Sequence, residues 1–304
     1  MKKTFSFLAV FCLAAVANAT ILRVSNVEGS SAPYSSIGDA LSAAAEGDTI
    51  MVDASPIAYD FIEIGKRVVL LGPGHSLVKN GIISEGAESA TINGIEIKTE
   101  GAEGTVVRGI TIPGGKDITI KAHKVVINRC FVHGSINLRG ASNSIIHQNF
   151  VGNVEGYGSE SQESYLQVTN NILYGRVSCL HNSYIAYNTG DGFFIYGCKD
   201  CTIEKNWSNR DISKGSLVTG SSFDDNYVSE TYTAALNNSS RYDGSVAAVE
   251  VDETLRSTYG AFAGDDPYVL SGIPAGPVIQ DLIVPASVEK GSKLQVTIKV
   301  GIQQ

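Results

Sequence analysis

Ile127-Asn128-Arg129-Cys130-Phe131, Ile146-His147-Gln148-Asn149-Phe150, Val168-Thr169-Asn170-Asn171-Ile172, Ile185-Ala186-Tyr187-Asn188-Thr189, Ile203-Glu204-Lys205-Asn206-Trp207 and Phe223-Asp224-Asp225-Asn226-Tyr227 are versions of one pattern. An apolar residue is followed by two variable residues, then Asn or Cys, then often a large side chain. The fourth positions are 19, 22, 17, 18 and 20 residues apart. A β-rich repeat of about twenty residues without helical periodicity marks a solenoid of stacked coils. Coils stack at the strand spacing, roughly 4.8 Å, so equivalent residues form columns along the axis. The apolar column should fill the interior. The Asn column (Asn149, Asn171, Asn188, Asn206, Asn226) is read as structural. Asn tolerates left-handed backbone at a turn and bonds nearby backbone, and stacked amides can bond one another.

Outward from this core, the chain opens as an export signal. Lys2 and Lys3 precede an apolar run from Phe5 to Val16 and an Ala17-Asn18-Ala19 cleavage site. Residues 1–19 are therefore assigned to a signal peptide, and the mature protein is expected to be secreted or held at the cell surface. The run is too short to span a bilayer, and no later stretch is long enough, so no membrane span is expected. The formal net charge of −8 becomes −10 once Lys2 and Lys3 are removed, which argues against nucleic acid as partner. A monomer is expected.

Residues 20–243 are assigned to the solenoid with its cap, and 244–304 to a C-terminal extension. Ser36 to Ala45 reads as a short amphipathic helix with a Ser start signal, suited to covering the solenoid's open end. Val278–Val284 and Lys293–Val300 read as a terminal strand pair that covers an end or folds along the side. Asn153 to Glu163 reads as a loop swelling from one coil, and Gly94 and Gly109 as early stand-ins for the Asn column. Four cysteines remain after cleavage. Export permits disulfides, and Cys179, Cys198 and Cys201 are the candidates, with Cys198-Lys199-Asp200-Cys201 at a coil corner and Cys179 about one coil earlier. Cys130, in the Asn column, is expected to be a buried free thiol.

Ser36-Ile37, Ala40-Leu41, Ala44-Ala45, Gly47-Asp48-Thr49-Ile50, Tyr59, Glu63-Ile64 and Val69-Leu70-Leu71-Gly72 resemble the opening of secreted bacterial proteins of the pectin-lyase-like superfamily. With the coils, the resemblance covers roughly residues 20–240. It implies an all-β fold: a single-stranded right-handed parallel β-helix with a short N-terminal capping helix and a C-terminal strand pair. That superfamily includes pectate and pectin lyases, alginate and chondroitin lyases, polygalacturonases (hydrolases) and many proteins of unknown role, so the scaffold alone does not fix an activity.

The residues narrow the chemistry. Asn188-Thr189-Gly190-Asp191 breaks the Asn-Thr-Asp motif of polygalacturonases, and their Gly-His-Gly and Arg-Ile-Lys motifs are absent. The two-carboxylate hydrolase apparatus is thus unsupported. Between Arg108 and Arg139 there are six basic residues and one acid, Asp117. Ile118-Thr119-Ile120-Lys121 aligns with Ile136-Asn137-Leu138-Arg139, stacking Lys121 on Arg139 and favouring an anion between them. An acidic polysaccharide would supply one. β-Elimination from a uronic acid needs its carboxylate neutralised, by calcium or by cations, and a base for the C5 proton. Lys121, Arg139, His123 and Arg129 are the catalytic candidates, so a lyase is favoured over a hydrolase. Asp191, Asp200, Asp224 and Asp225 are the carboxylates available to calcium. Tyr157, Tyr165, Tyr174, Tyr184, Tyr187, Tyr196 and Trp207 offer rings for sugar stacking. The competing reading is a non-catalytic structural or adhesion protein.

Overall fold

Short strands with inward aliphatic side chains make up most of the computed structural model, which describes residues 19–157, 164–190, 194–212, 217–229, 243–244, 246, 253–273, 277–283, 293–294 and 296–302. The expected signal peptide lies outside these residues, except for its last position. Ten strands, from Ile21–Val24 and Thr49–Val52 to Thr202–Glu204 and Ser222–Asp224, pair in parallel and in chain order. A second parallel sheet of twelve strands starts at Ile62–Ile64 and ends at Tyr227–Val228. A chain that alternates between two sheets, each time adding a strand beside the last, is a parallel β-solenoid.

Register follows from which side chains go inside. Val107, Ile127, Ile146, Val168, Ile185, Ile203 and Phe223 lie one above another in the ten-stranded sheet. All but Phe223, on the last coil described, are fully buried. In the facing sheet the strands begin and end on inward residues, as in Ile118-Thr119-Ile120 beneath Ile136-Asn137-Leu138. A slip of one residue would turn every one of these outward. The predicted capping helix spans Ile37–Ala43; Ser36 Oγ accepts the Asp39 N–H at 3.1 Å, and Ile37, Ala40 and Leu41 join the core.

The Asn column is a hydrogen-bonded file. The Asn149 backbone N–H and its Nδ2 both donate to Asn171 Oδ1, at 2.9 and 3.0 Å, while Nδ2 also reaches back to the Ile127 carbonyl at 2.9 Å. The same pattern runs from Asn171 to Asn188, from Asn188 to Asn206 and from Asn206 to Asn226. Cys130 stands at the foot of the file. Its N–H donates to Asn149 Oδ1 at 2.9 Å, and its thiol faces the Val107 carbonyl at 3.7 Å where the asparagines place Nδ2. Burial pushes this thiol up to about 12.

The left-handed residue is not the Asn but the one before it. Arg129, Gln148, Asn170, Tyr187, Lys205 and Asp225 have φ between 48° and 57°, and Gly109 fills the same place with φ 66°. The corner turns the following N–H out of the sheet ladder, and the Asn of the next coil accepts it. Leaving such a buried N–H unpaired costs about 1–3 kcal/mol. Two other expectations change in detail. Gly94 belongs to the other sheet, leading into Ile95, which pairs with Ile118. The strand Phe150–Gly156 takes in the first four residues of the expected loop, of which residues 158–163 lie outside the described residues.

The six left-handed residues point outward and grip the C-terminal chain. A short helix, Glu253–Thr258, leads into a strap that descends the solenoid along this corner. Tyr259 donates to Asp225 Oδ1 at 2.6 Å, and the Gly260 N–H to the Lys205 carbonyl at 2.9 Å. Asn170 Nδ2 donates to the carbonyls of Ala261 and Ala263, Gln148 Nε2 to those of Asp266 and Pro267, and Arg129 to that of Ile273. Gly272 crosses the Arg129 carbonyl so closely that a Cβ there would sit 2.2 Å from its oxygen. Beneath the strap, Phe131, Phe150, Ile172 and Trp207 form a second apolar cluster with Ala261 and Tyr268. Phe131 and Phe150 stack at 4.7 Å between centroids. The strap ends on a buried knot: Asp243 accepts from Asn80 Nδ2 at 2.5 Å, Tyr268 Oη at 3.2 Å and the Ser271 N–H. The terminal strand pair is Pro277–Ile283 with Thr297–Ile302, antiparallel. Residues 253–273 cover this flank.

Candidate functional site

The outward faces of the two sheets carry charge differently. On the twelve-stranded sheet, Lys121 and Arg139 follow Ile120 and Leu138 on adjacent coils, as the alignment predicts. The anion expected between them is not there; Lys121 instead has an acid of its own. Glu96, on the neighbouring coil, accepts Lys121 at 2.8 Å and Lys98 at 3.0 Å, and these two hydrogen bonds hold its carboxyl below the usual range. Arg139 lies over the Tyr157 ring, 4.6 Å from its centroid. His123 sits apart at an exposed corner, its Nδ1 2.9 Å from Ser142 Oγ. Arg129 is on the corner beneath the strap. The four catalytic candidates are therefore distributed over three places.

The face of the ten-stranded sheet is different. Strap and sheet bound a groove of about 440 Å³ whose lining includes Arg108, Asn128, Arg129, His147, Gln148, Thr169 and Asp266. Its floor follows from three-residue strands with the middle residue buried. The outer residues form an apolar file of Val106, Val126 and Ile145, and beside it a polar file of Arg108, Asn128, His147 and Thr169. Arg108 pairs with Asn128 in the ladder, next to Arg129. Arg129 Nε donates to Gln148 Oε1 at 2.7 Å and its Nη1 to the Ile273 carbonyl at 2.8 Å, both neutral acceptors. Burial, and then the charge of Arg108, push Arg129 below its ordinary value. The Arg108 guanidinium has no hydrogen bond or ion pair among the described residues, and its Nε is buried without a partner. A buried guanidinium N–H without an acceptor is costly and calls for an explanation.

Asp266, exposed on the strap, is the carboxylate that faces this pair. It accepts from Gln148 Nε2 at 2.8 Å and lies 3.0 Å from His147 Nε2, whose Nδ1 is 2.8 Å from Thr169 Oγ1. Burial holds His147 below the ordinary histidine value despite Asp266. Both ring nitrogens are engaged, so the imidazole is held in place without a free lone pair for a substrate proton. The arrangement can bind a carboxylate against two guanidinium groups, with an apolar strip alongside for a sugar face.

Among the described residues no group of three or more His, Cys, Asp or Glu side chains is placed to hold a metal ion. Of the carboxylates available to calcium, Asp225 is taken by Lys205 and Tyr259, and Asp191 lies outside the described residues. The four described cysteines are free. The neighbouring Cys201 thiol, and then burial, push Cys198 up, while both thiols face backbone carbonyls. Cys179 is only partly buried, and no bond joins these three. The tyrosines do not form one face. Tyr184 lies on the ten-stranded sheet with its hydroxyl on Glu204 at 2.8 Å, Tyr196 faces Arg176 on the other sheet, and Trp207 is packed beneath the strap.

Arg108, His147 and Asp266 were not among the sequence candidates. Arg108 and His147 are adjacent to repeat positions and face outward by simple alternation, a signal that was available. Asp266 joins them only through the strap. No family model matches this sequence, and no curated protein or solved structure matches it.

Proposed function

We propose that this protein is an exported β-solenoid that binds a carboxylate-bearing glycan in the groove between its ten-stranded sheet and the C-terminal strap. The observation that carries this reading is the Arg108–Arg129 pair, with one guanidinium unpaired and the other bonded only to neutral groups. The apolar file of Val106, Val126 and Ile145 suits the face of a sugar ring. Export rests on the Lys2-Lys3 start, the apolar run and the Ala17-Asn18-Ala19 site. In this compartment Cys198 and Cys201 are the pair that would close a disulfide. Likeness to the pectin-lyase-like superfamily, on the opening residues quoted above, agrees with an acidic glycan as ligand.

Binding is preferred to β-elimination because both candidate bases in the groove are engaged, His147 through both ring nitrogens and Arg129 through Nε and Nη1. The test is calorimetry of the mature chain with oligosaccharides that do and do not carry a uronic acid, alongside a scan for ultraviolet absorbance from unsaturated product. Arg108→Met should weaken binding of the acidic sugar at least about tenfold, consistent with loss of a charge-assisted hydrogen bond worth about 1.5–3 kcal/mol. Unchanged binding in that variant would sink the assignment. Unsaturated product would replace binding with elimination at the same groove.

A further inference from the structure

The order of charges along the groove restricts the ligand further, given that the groove binds a carboxylate at all. On one side of Arg108 the polar file continues as Leu71 and Met51. On the other, beyond Thr169, it continues as Ala186, Glu204 and Asp224. The next guanidinium down the face, Arg23, is held by both oxygens of Asp53. Positive charge is therefore available at one station, with apolar coils on one side and carboxylates on the other. Coils repeat at roughly 4.8 Å, and a sugar in an extended chain advances by a similar length. A polyuronate lying along the groove would carry a charge on every sugar. Some of those charges would lose water over Leu71 and Met51 without gaining a donor. Others would approach Asp266, Glu204 and Asp224, where like charges repel.

We infer that the groove takes a neutral glycan bearing isolated carboxylates, and not a homopolymeric polyuronate. The carboxylate docks on Arg108 and Arg129, and neutral sugars extend over the apolar file. The experiment titrates the mature chain with three probes: a xylo-oligosaccharide with one glucuronic acid branch, the same oligosaccharide without it, and a hexamer of galacturonic acid. The singly charged probe should bind at least about tenfold more tightly than the other two. Glu204→Gln should improve binding of the hexamer several-fold and leave the singly charged probe unchanged. A hexamer that binds as tightly as the branched probe overturns this inference while the carboxylate-binding groove stands. Failure of both acidic probes, or equal binding of the branched and unbranched ones, removes the groove assignment and this inference with it.

Discussion

Lys121 and Arg139 on one face of the solenoid, and Arg108 and Arg129 on the other, are pairs of cations on neighbouring coils. They differ in what surrounds them. Lys121 meets Glu96, and Arg139 meets Tyr157, both from coils beside their own. Arg108 meets no acceptor, and Arg129 meets an amide and a carbonyl. The strap also half-buries Arg129, which strengthens any interaction made there. The difference shows that a cluster of basic residues in a solenoid cannot be read as a site until the acids on adjacent coils, some twenty residues away, have been placed against it.

This contrast can be broken most forcefully by releasing the strap, which walls one face and not the other. Asp243→Ala removes the acceptor for Tyr268, Asn80 and the Ser271 N–H. Orphaned buried donors cost about 1–3 kcal/mol each, so unfolding free energy should fall by roughly 3 kcal/mol in denaturant titration. Groove binding should be lost as well. Retained binding would show that the strap is not a wall of the site.

Acid should loosen the strapped face next. His75 beneath the strap and His147 in the groove are pushed below the ordinary histidine value, chiefly by burial. The unfolded chain then holds more protons than the folded one just below about pH 6.5, so stability is lost as pH falls through that value. Thermal melts between pH 7 and pH 5 should show this decline, and His75→Gln should flatten it. A flat profile in the native protein would contradict the burial of these rings.

The smallest effect belongs to the paired face. Lys121→Ala breaks a surface ion pair worth about 0–1 kcal/mol, and binding of acidic glycan should change less than about twofold. A tenfold loss would move the site to the face where the sequence first placed it.

The recurring Asn and apolar positions sufficed to set the coil length, the interior column and the bonded file along the axis, because stacking turns sequence spacing directly into contact. Ser36 and the apolar spacing after it likewise placed the capping helix. The left-handed corners were harder to read. Their residues, from Arg129 to Asp225, share no side-chain type, and the strain each accepts is set by the neighbouring coil. Cys130 was legible as a member of the file, whereas the pairing of Glu96 with Lys121 was not.

Repeat spacing alone therefore determined that this chain is a wound parallel sheet with an amide file inside it. Only the tertiary structure decided which cations are spent on neighbours and which face a groove. That outcome depends on residues 253–273 returning down the flank to meet coils laid down from 34 to 144 residues earlier. No local pattern encodes such a return, because the hydrogen bonds that fix it join side chains of one corner to the backbone of a distant segment.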